Sequence, residues 1–168
     1  MQEEKTLTEA TLCYLVTDSH ISLGIKKKKI GKGKYNGYGG GFERNEDAQQ
    51  CVVRECDEEV GVQVFPSSLQ KVALVYFNNT KSDGNTFTCK VHVYFATRWQ
   101  GTPRETEEIA NPHWFPRAGL PFARMMPADR FWLPPVLEGK KVIARACYGP
   151  FQRELLKLVE VEMVDELA

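Results

Sequence analysis

The stretch GGFERNEDAQQCVVRECDEEVGV, Gly40 to Val62, sets Glu46, Arg54, Glu55, Glu58 and Glu59 between Gly40 and Gly61, with Cys56 and Val62 in two small apolar positions. Glu55, Glu58 and Glu59 are spaced i, i+3, i+4, which puts three carboxylates on one face of a helix. Like charges stacked that closely destabilise a helix, so a chain that keeps them calls for a cation at that face. Hard oxygen ligands suit Mg²⁺, with Mn²⁺ as the substitute.

Outward from this stretch, the pattern predicts a helix from Asn45 or Glu46 to about Val60, ended by Gly61 in a left-handed C-terminal position. Ala48, Val52 and Cys56 form its apolar stripe. Upstream, residues 26–41 read as a basic, glycine-rich loop. Strands are expected over 11–17, 20–25, 69–77, 86–99, 113–116 and 141–148, with 78–85 as an exposed turn and 100–111 as an acidic connection. A helix start is expected at Pro127-Ala-Asp129, with Pro134 and Pro135 confining that helix to its opening turns. The tail from Arg153 to Val164 suits either a strand or a helix, and the alternation of Val159, Val161 and Met163 favours a strand. Mixed strands with two helices packed on them give an α+β chain built as a three-layer sandwich.

The length of 168 residues, with 22 Lys plus Arg against 22 Asp plus Glu, predicts one domain spanning 1–168 with a real core. Balanced charge and the lack of a basic stripe argue against a long nucleic-acid track or a membrane surface as partner. Cys13, Cys51, Cys56, Cys89 and Cys147 form no CxxC pair, which fits reduced thiols in a cytoplasmic protein. The first residues carry no apolar leader, and no apolar run approaches a membrane span.

Read as spacing, the opening stretch runs Gly40, five residues, Glu46, seven residues, Arg54-Glu55, an apolar residue, any residue, Glu58-Glu59, any residue, Gly61, an apolar residue. This pattern resembles the Nudix box, the signature of hydrolases of nucleoside diphosphates linked to another group. Its fixed identities coincide by chance on the order of once in 10⁸ starting points. Cys56 stands where a branched aliphatic is usual, and cysteine serves as a small buried hydrophobe there. The resemblance implies a Nudix α/β/α sandwich, with a mixed curved sheet and a catalytic helix after a glycine-rich loop.

Phosphoanhydride hydrolysis needs charge neutralisation, positioning and an activated water. Glu55, Glu58 and Glu59 are the expected metal ligands, joined by a backbone carbonyl of Gly39 or Gly40. Arg54 is expected to orient Glu58 or Glu46. A further carboxylate, as ligand or general base, is expected within Glu105-Thr-Glu-Glu108. Lys26 is a candidate for the triphosphate, and Tyr35, Phe77, Phe131 and Trp132 are available to a base.

Beyond the box the chain is similar to the MutT-homologue subfamily acting on oxidised purine nucleoside triphosphates, 8-oxo-dGTP in particular. The similarity rests on Gly31-Lys-Gly-Lys-Tyr-Asn-Gly-Tyr-Gly-Gly40, on Val91-His-Val with Gln100-Gly-Thr-Pro103, and on Met125-Met-Pro-Ala-Asp-Arg-Phe-Trp132. It implies Mg²⁺-dependent hydrolysis to a monophosphate and pyrophosphate. By matching positions it implies Thr11, Lys26, Asn36 and Phe77 around the nucleotide, Glu108 as the carboxylate beyond the box, and Asp129 on the purine edge. The chain departs from the subfamily at Met126, where a stacking Trp is usual, at Ala128, where a second Asp is usual, and at Ile30, where an aromatic is usual. These exchanges reshape the base pocket while leaving the hydrolytic residues in place. The competing expectation keeps the box and changes the nucleotide to an ordinary dNTP, ADP-ribose or a dinucleoside polyphosphate. The expected partner is in each case a small nucleotide, acted on by a monomer or homodimer.

Overall fold

The computed structural model describes residues 6–168. The first strand, β1 (Glu9–Leu15), explains the layering. Its residues alternate between two apolar clusters: Ala10 and Tyr14 enter one, Cys13 and Leu15 the other. A strand buried on both faces reads as a nearly continuous apolar run. β2 (His20–Lys26) follows after a tight turn in which the Thr17 hydroxyl accepts from the His20 amide at 2.9 Å.

The glycine-rich segment contains two short strands that its composition conceals, β3 (Tyr35–Asn36) and β4 (Tyr38–Gly41). β4 pairs antiparallel with β1, and Gly39 lies so close that a Cβ there would run into the Thr11 carbonyl. Helix α1 (Ala48–Val60) begins two to three residues later than its charge pattern suggests. The reason is a capping box: Asp47 Oδ1 accepts from the Gln50 amide at 2.8 Å, and Gln50 Oε1 accepts from the Asp47 amide at 3.0 Å. Two orphan donors of the first turn are thereby satisfied. Gly61 ends the helix at φ 72°, as expected.

Next come β5 (Gln63–Val64), β6 (Leu69–Thr80), β7 (Thr86–Ala96), β8 (Trp99–Gln100) and β9 (Ile109–Pro116). β6 runs three residues past the expected Phe77, because Asn78–Thr80 stay in register with Thr86–Thr88. β9 starts at Ile109 because it pairs with Lys26, which shortens the acidic connection. Helix α2 (Asp129–Leu137) then runs through Pro134 and Pro135 rather than stopping before them. The carbonyls those prolines cannot bond belong to Arg130 and Phe131, both exposed residues. β10 (Lys141–Tyr148) and β11 (Glu160–Val164) close the chain, so the tail is a strand.

The largest sheet has the order β11-β10-β6-β7-β1-β4, and a second sheet has the order β3-β2-β9. β1/β7 and β6/β10 are parallel and the other pairs antiparallel, so the large sheet is mixed. α1 packs Val52, Cys56 and Val60 beside Cys13, Leu15 and Tyr38. α2 packs Trp132, Leu133 and Val136 in the other core, beside Tyr14, Val142 and Tyr148. The sequence-predicted α/β/α sandwich is the architecture observed. Among the described residues no helix is long and apolar enough to cross a membrane.

Gly37 tests the tightness of this frame. A Cβ there would stand 2.7 Å from the Cys13 carbonyl oxygen and 2.8 Å from Tyr14 Cε1. Gly37→Ala should lose about 1–3 kcal/mol in chemical denaturation; an unchanged unfolding midpoint would show that the β1–β4 interface is loose.

Candidate active site

α1 presents its carboxylates towards β4, and one guanidinium organises them. Arg54 Nε and one terminal nitrogen donate to the two oxygens of Glu46 at 2.7 and 2.8 Å. The other terminal nitrogen donates to Glu55 at 2.9 Å and to Glu58 at 3.2 Å. A further hydrogen bond reaches the Gly41 carbonyl at 3.1 Å. Of the two partners expected for Arg54, Glu58 and Glu46, the guanidinium grips both, and Glu55 as well. The hydrogen bonds from Arg54 hold Glu46 down at a pKa of about 2, and Glu46 raises the guanidinium's in turn.

Glu59 behaves differently. It is buried, and its Oε1 accepts from the Gly39 amide at 3.0 Å. Burial pushes its carboxyl up to about 8 despite that hydrogen bond, with Glu55 and Glu108 adding repulsion. Burial also raises Glu55, against the pull of Arg54. Lys26, half-buried at the end of β2, is lowered by desolvation while Glu59, Glu108 and Glu55 pull it back up. Glu108 is thereby placed in the same field. Its segment is stitched to α1 by Thr106 Oγ1, which donates to the Glu59 carbonyl at 2.7 Å, and to the residue after β2 by the Lys27 amide on the Glu108 carbonyl at 2.9 Å.

The donor set fits a hard divalent cation. A Cβ at Gly40 would stand 2.6 Å from Glu55 Oε1, so the carboxylate would have to shift to admit any other residue there. A strand residue turns its N–H and C=O to the same edge, which directs the Gly39 carbonyl to the side where its amide meets Glu59. Glu55, Glu58, Glu59, Glu108 and Gly39 could supply an all-oxygen set for a hard divalent cation. Among the described residues no three such side chains converge on one point by themselves, because Arg54 draws Glu55 and Glu58 while Glu59 turns to Gly39.

The other expected residues divide between two faces of the sheet. Phe77 stacks on Tyr148 with ring centroids 5.8 Å apart and belongs to the α2-side core. Asp129 is buried there; its Oδ1 accepts from Trp132 Nε1 at 3.2 Å, and Oδ2 has no hydrogen-bond partner among the described residues. Burial pushes its carboxyl up to about 7. Met126 is buried beside the Gly31 turn and accepts the Asp129 amide at 3.0 Å. Lys26 and Met126 both lie against Gly31, so the lysine stands between the acidic face and the Met126–Asp129 segment. Asn36 turns its Oδ1 onto the Gly37 amide at 2.8 Å, at the edge of this region.

Thr11 is not among them. It faces α1, with its hydroxyl 3.1 Å from Cys51 Sγ. Ile30 is exposed, and so is Phe131, which removes it from the aromatic candidates. Sequence reasoning passed over Tyr148, whose hydroxyl accepts the Ala128 amide at 2.8 Å and seals the start of α2. No local pattern marks it, since β10 and α2 meet only in the fold. An open recess of about 370 Å³ lined by Phe65, Thr97, Arg98 and Trp99 contains none of these residues.

An α/β/α sandwich with a carboxylate-bearing helix after a glycine strand defines a Nudix hydrolase. The chain belongs to that family, whose NUDIX domain model matches residues 6–135, and it is a pyrophosphohydrolase. It is 35% identical over 131 residues to the mouse oxidized purine nucleoside triphosphate hydrolase, covering 78% of this chain and 80% of that one. The zebrafish protein of the same name is 34% identical over 142 residues, covering 84% and 85%. The crystal structure of the MutT protein from Bacillus halodurans superposes with a TM-score of 0.75 at 21% identity, covering 93% of this chain and 98% of that one.

Two measurements check the site. Arg54→Lys keeps the charge and loses the fork, so Mn²⁺ affinity, read by titration, should weaken roughly 10–100-fold. Asp129 has a folded pKa of about 7, above its unfolded value, so folded protein holds the extra proton. Its stabilising contribution is complete below about pH 4 and is lost as pH rises to about 7. Asp129→Asn should therefore gain stability over wild type at pH 8, by an amount of order 4 kcal/mol at most, with the gap closing towards pH 4 in urea denaturation.

Proposed function

We propose that this protein hydrolyses oxidised purine nucleoside triphosphates, 8-oxo-dGTP among them, to the monophosphate and pyrophosphate, and so clears damaged nucleotides from the pool. One observation carries the reading: Lys26 stands between an intact acidic helix and Met126, whose carbonyl holds the amide of Asp129, a buried carboxyl with an oxygen unpartnered among the described residues. The names of the mouse and zebrafish relatives support it.

Glu55, Glu58, Glu59 and Glu108, with the Gly39 carbonyl, would hold Mg²⁺ or Mn²⁺. When bound, the cation neutralises charge on the phosphate oxygens and acidifies water. Lys26 Nζ takes up a phosphate oxygen and leaves the field of Glu59 to do so. Glu58, with a side chain 54% exposed, meets incoming solvent and accepts the proton of the attacking water. Arg54 is a positioning residue, fixing Glu46, Glu55 and Glu58. Phe77 and Met126 pack on the base, while Asn36 and Asp129 address its polar edge. The thioether of Met126 gives less surface than an indole and adapts more readily. A small nucleotide is the partner, without long nucleic acid or membrane, and the cytoplasm the compartment; the protein acts as a monomer or homodimer.

A second reading keeps the hydrolysis and alters the nucleotide, favoured by Ala128, which is fully buried and leaves Asp129 as the lone carboxyl of the pocket. A panel of 8-oxo-dGTP, dGTP, 2-oxo-dATP, dATP, ADP-ribose and a diadenosine polyphosphate decides between them. Preference in kcat/KM for the oxidised purines, with pyrophosphate released, is expected; preference for ADP-ribose or a flat response would establish the second reading. Glu59→Gln should lower kcat by roughly 10²-fold, and unaltered turnover would remove Glu59 from the metal set.

A further inference from the structure

Buried tyrosine hydroxyls find partners as a rule, and three in this protein do. Tyr35 accepts from Asn111 Nδ2 at 2.9 Å, Tyr38 pairs with the Ser22 hydroxyl at 2.8 Å, and Tyr148 accepts the Ala128 amide at 2.8 Å. Among the described tyrosine hydroxyls sealed from solvent, that of Tyr14 is the exception. It is 0% exposed, and its hydroxyl has no hydrogen-bond partner among the described residues. The same holds for one other buried side-chain atom, Asp129 Oδ2.

The two orphans share one interior. Trp132 donates to Asp129 Oδ1, and its ring lies 6.4 Å from the Tyr14 ring. Asp129 is close enough for its charge to raise the Tyr14 phenol, after burial itself. On the other side, Gly37 brings its backbone to Tyr14 Cε1, next to the phenol oxygen, and Gly37 follows Asn36. Tyr14 thus packs with the Asp129–Trp132 pair on one side and against Gly37 on the other. An unpartnered buried hydroxyl costs about 1–3 kcal/mol, and phenylalanine would fill the same space without that cost.

We infer that the Tyr14 hydroxyl is a specificity-determining group, donating to a carbonyl of the base while Asp129 Oδ2 accepts from the adjacent ring N–H. The pair is complementary to a lactam edge, a neighbouring N–H and C=O. Oxidation of a purine at C8 creates such an edge, N7–H beside C8=O, where the undamaged base offers only an acceptor at N7. Adenine has no lactam until it is oxidised, so adenine nucleotides give the cleanest contrast. Met126, with three rotatable bonds, and the Gly31 turn beside it are the parts that yield as the base enters.

The inference rests on the purine reading above, and Tyr14→Phe separates the two. The substitution removes no hydrogen bond of the free protein, so its melting temperature should be equal to wild type or higher. On 8-oxo-dATP, kcat/KM should fall about tenfold, with the value on dATP unchanged. Calorimetry should show the same split in product binding, with 8-oxo-dAMP weakened and dAMP unaffected. A variant that keeps the wild-type preference, loses both substrates equally, or melts well below wild type would overturn the role of Tyr14 alone. Absence of any turnover of purine triphosphates by the wild type would overturn the reading beneath it as well.

Discussion

One guanidinium holds this site in register. Glu46, just ahead of α1, and Glu55 and Glu58 in its second half would repel one another, and Arg54 meets all three within 3.2 Å. Its hydrogen bond to the Gly41 carbonyl ties the same helix to β4. A planar fork with five donors can satisfy such a set, which an ammonium cannot. The glycines of β4 then let the backbone come up to Glu55 and to β1. The position of α1 on the sheet and the direction of its carboxylates are consequences of the same contact.

Identical side chains acquire opposite characters from their surroundings. Glu46, gripped by Arg54, has its carboxyl held low, whereas burial pushes the Glu59 carboxyl up. Asp129 is raised for the same reason in a separate pocket. Buried carboxyls of this kind gather where ligands or cations bind. Lys26 carries the complementary perturbation, lowered by burial between the two regions. Stability has been given up at these points, which is the pattern expected of functional sites.

Where the sequence misleads, competing local and tertiary forces explain it. The carboxylates suggested a helix beginning at Asn45 or Glu46, and the Asp47–Gln50 capping box moved the start to Ala48. That box was legible, since Asp followed three residues later by Gln is its signature. Pro134 and Pro135 read as stops, yet α2 passes through them, and the residues four positions back, Arg130 and Phe131, are exposed. Thr11 belongs by matched position to the nucleotide, and the pleat turns it to Cys51 instead. Strand alternation assigns faces only once the sheet's partners are known.

The sequence by itself determined the family, the sandwich class, the acidic face and its arginine, because those depend on spacing along one helix, where neighbours in space are neighbours in sequence. Tertiary structure alone decided which carboxyls are buried, which face each strand residue takes, and which polar atoms lack partners. Glu59 meeting Gly39, Lys26 spanning to Met126, and Tyr14 lying with Asp129 against Trp132 join residues from separate elements. Desolvation and hydrogen-bond satisfaction depend on everything packed around a group, and a linear pattern holds no record of that.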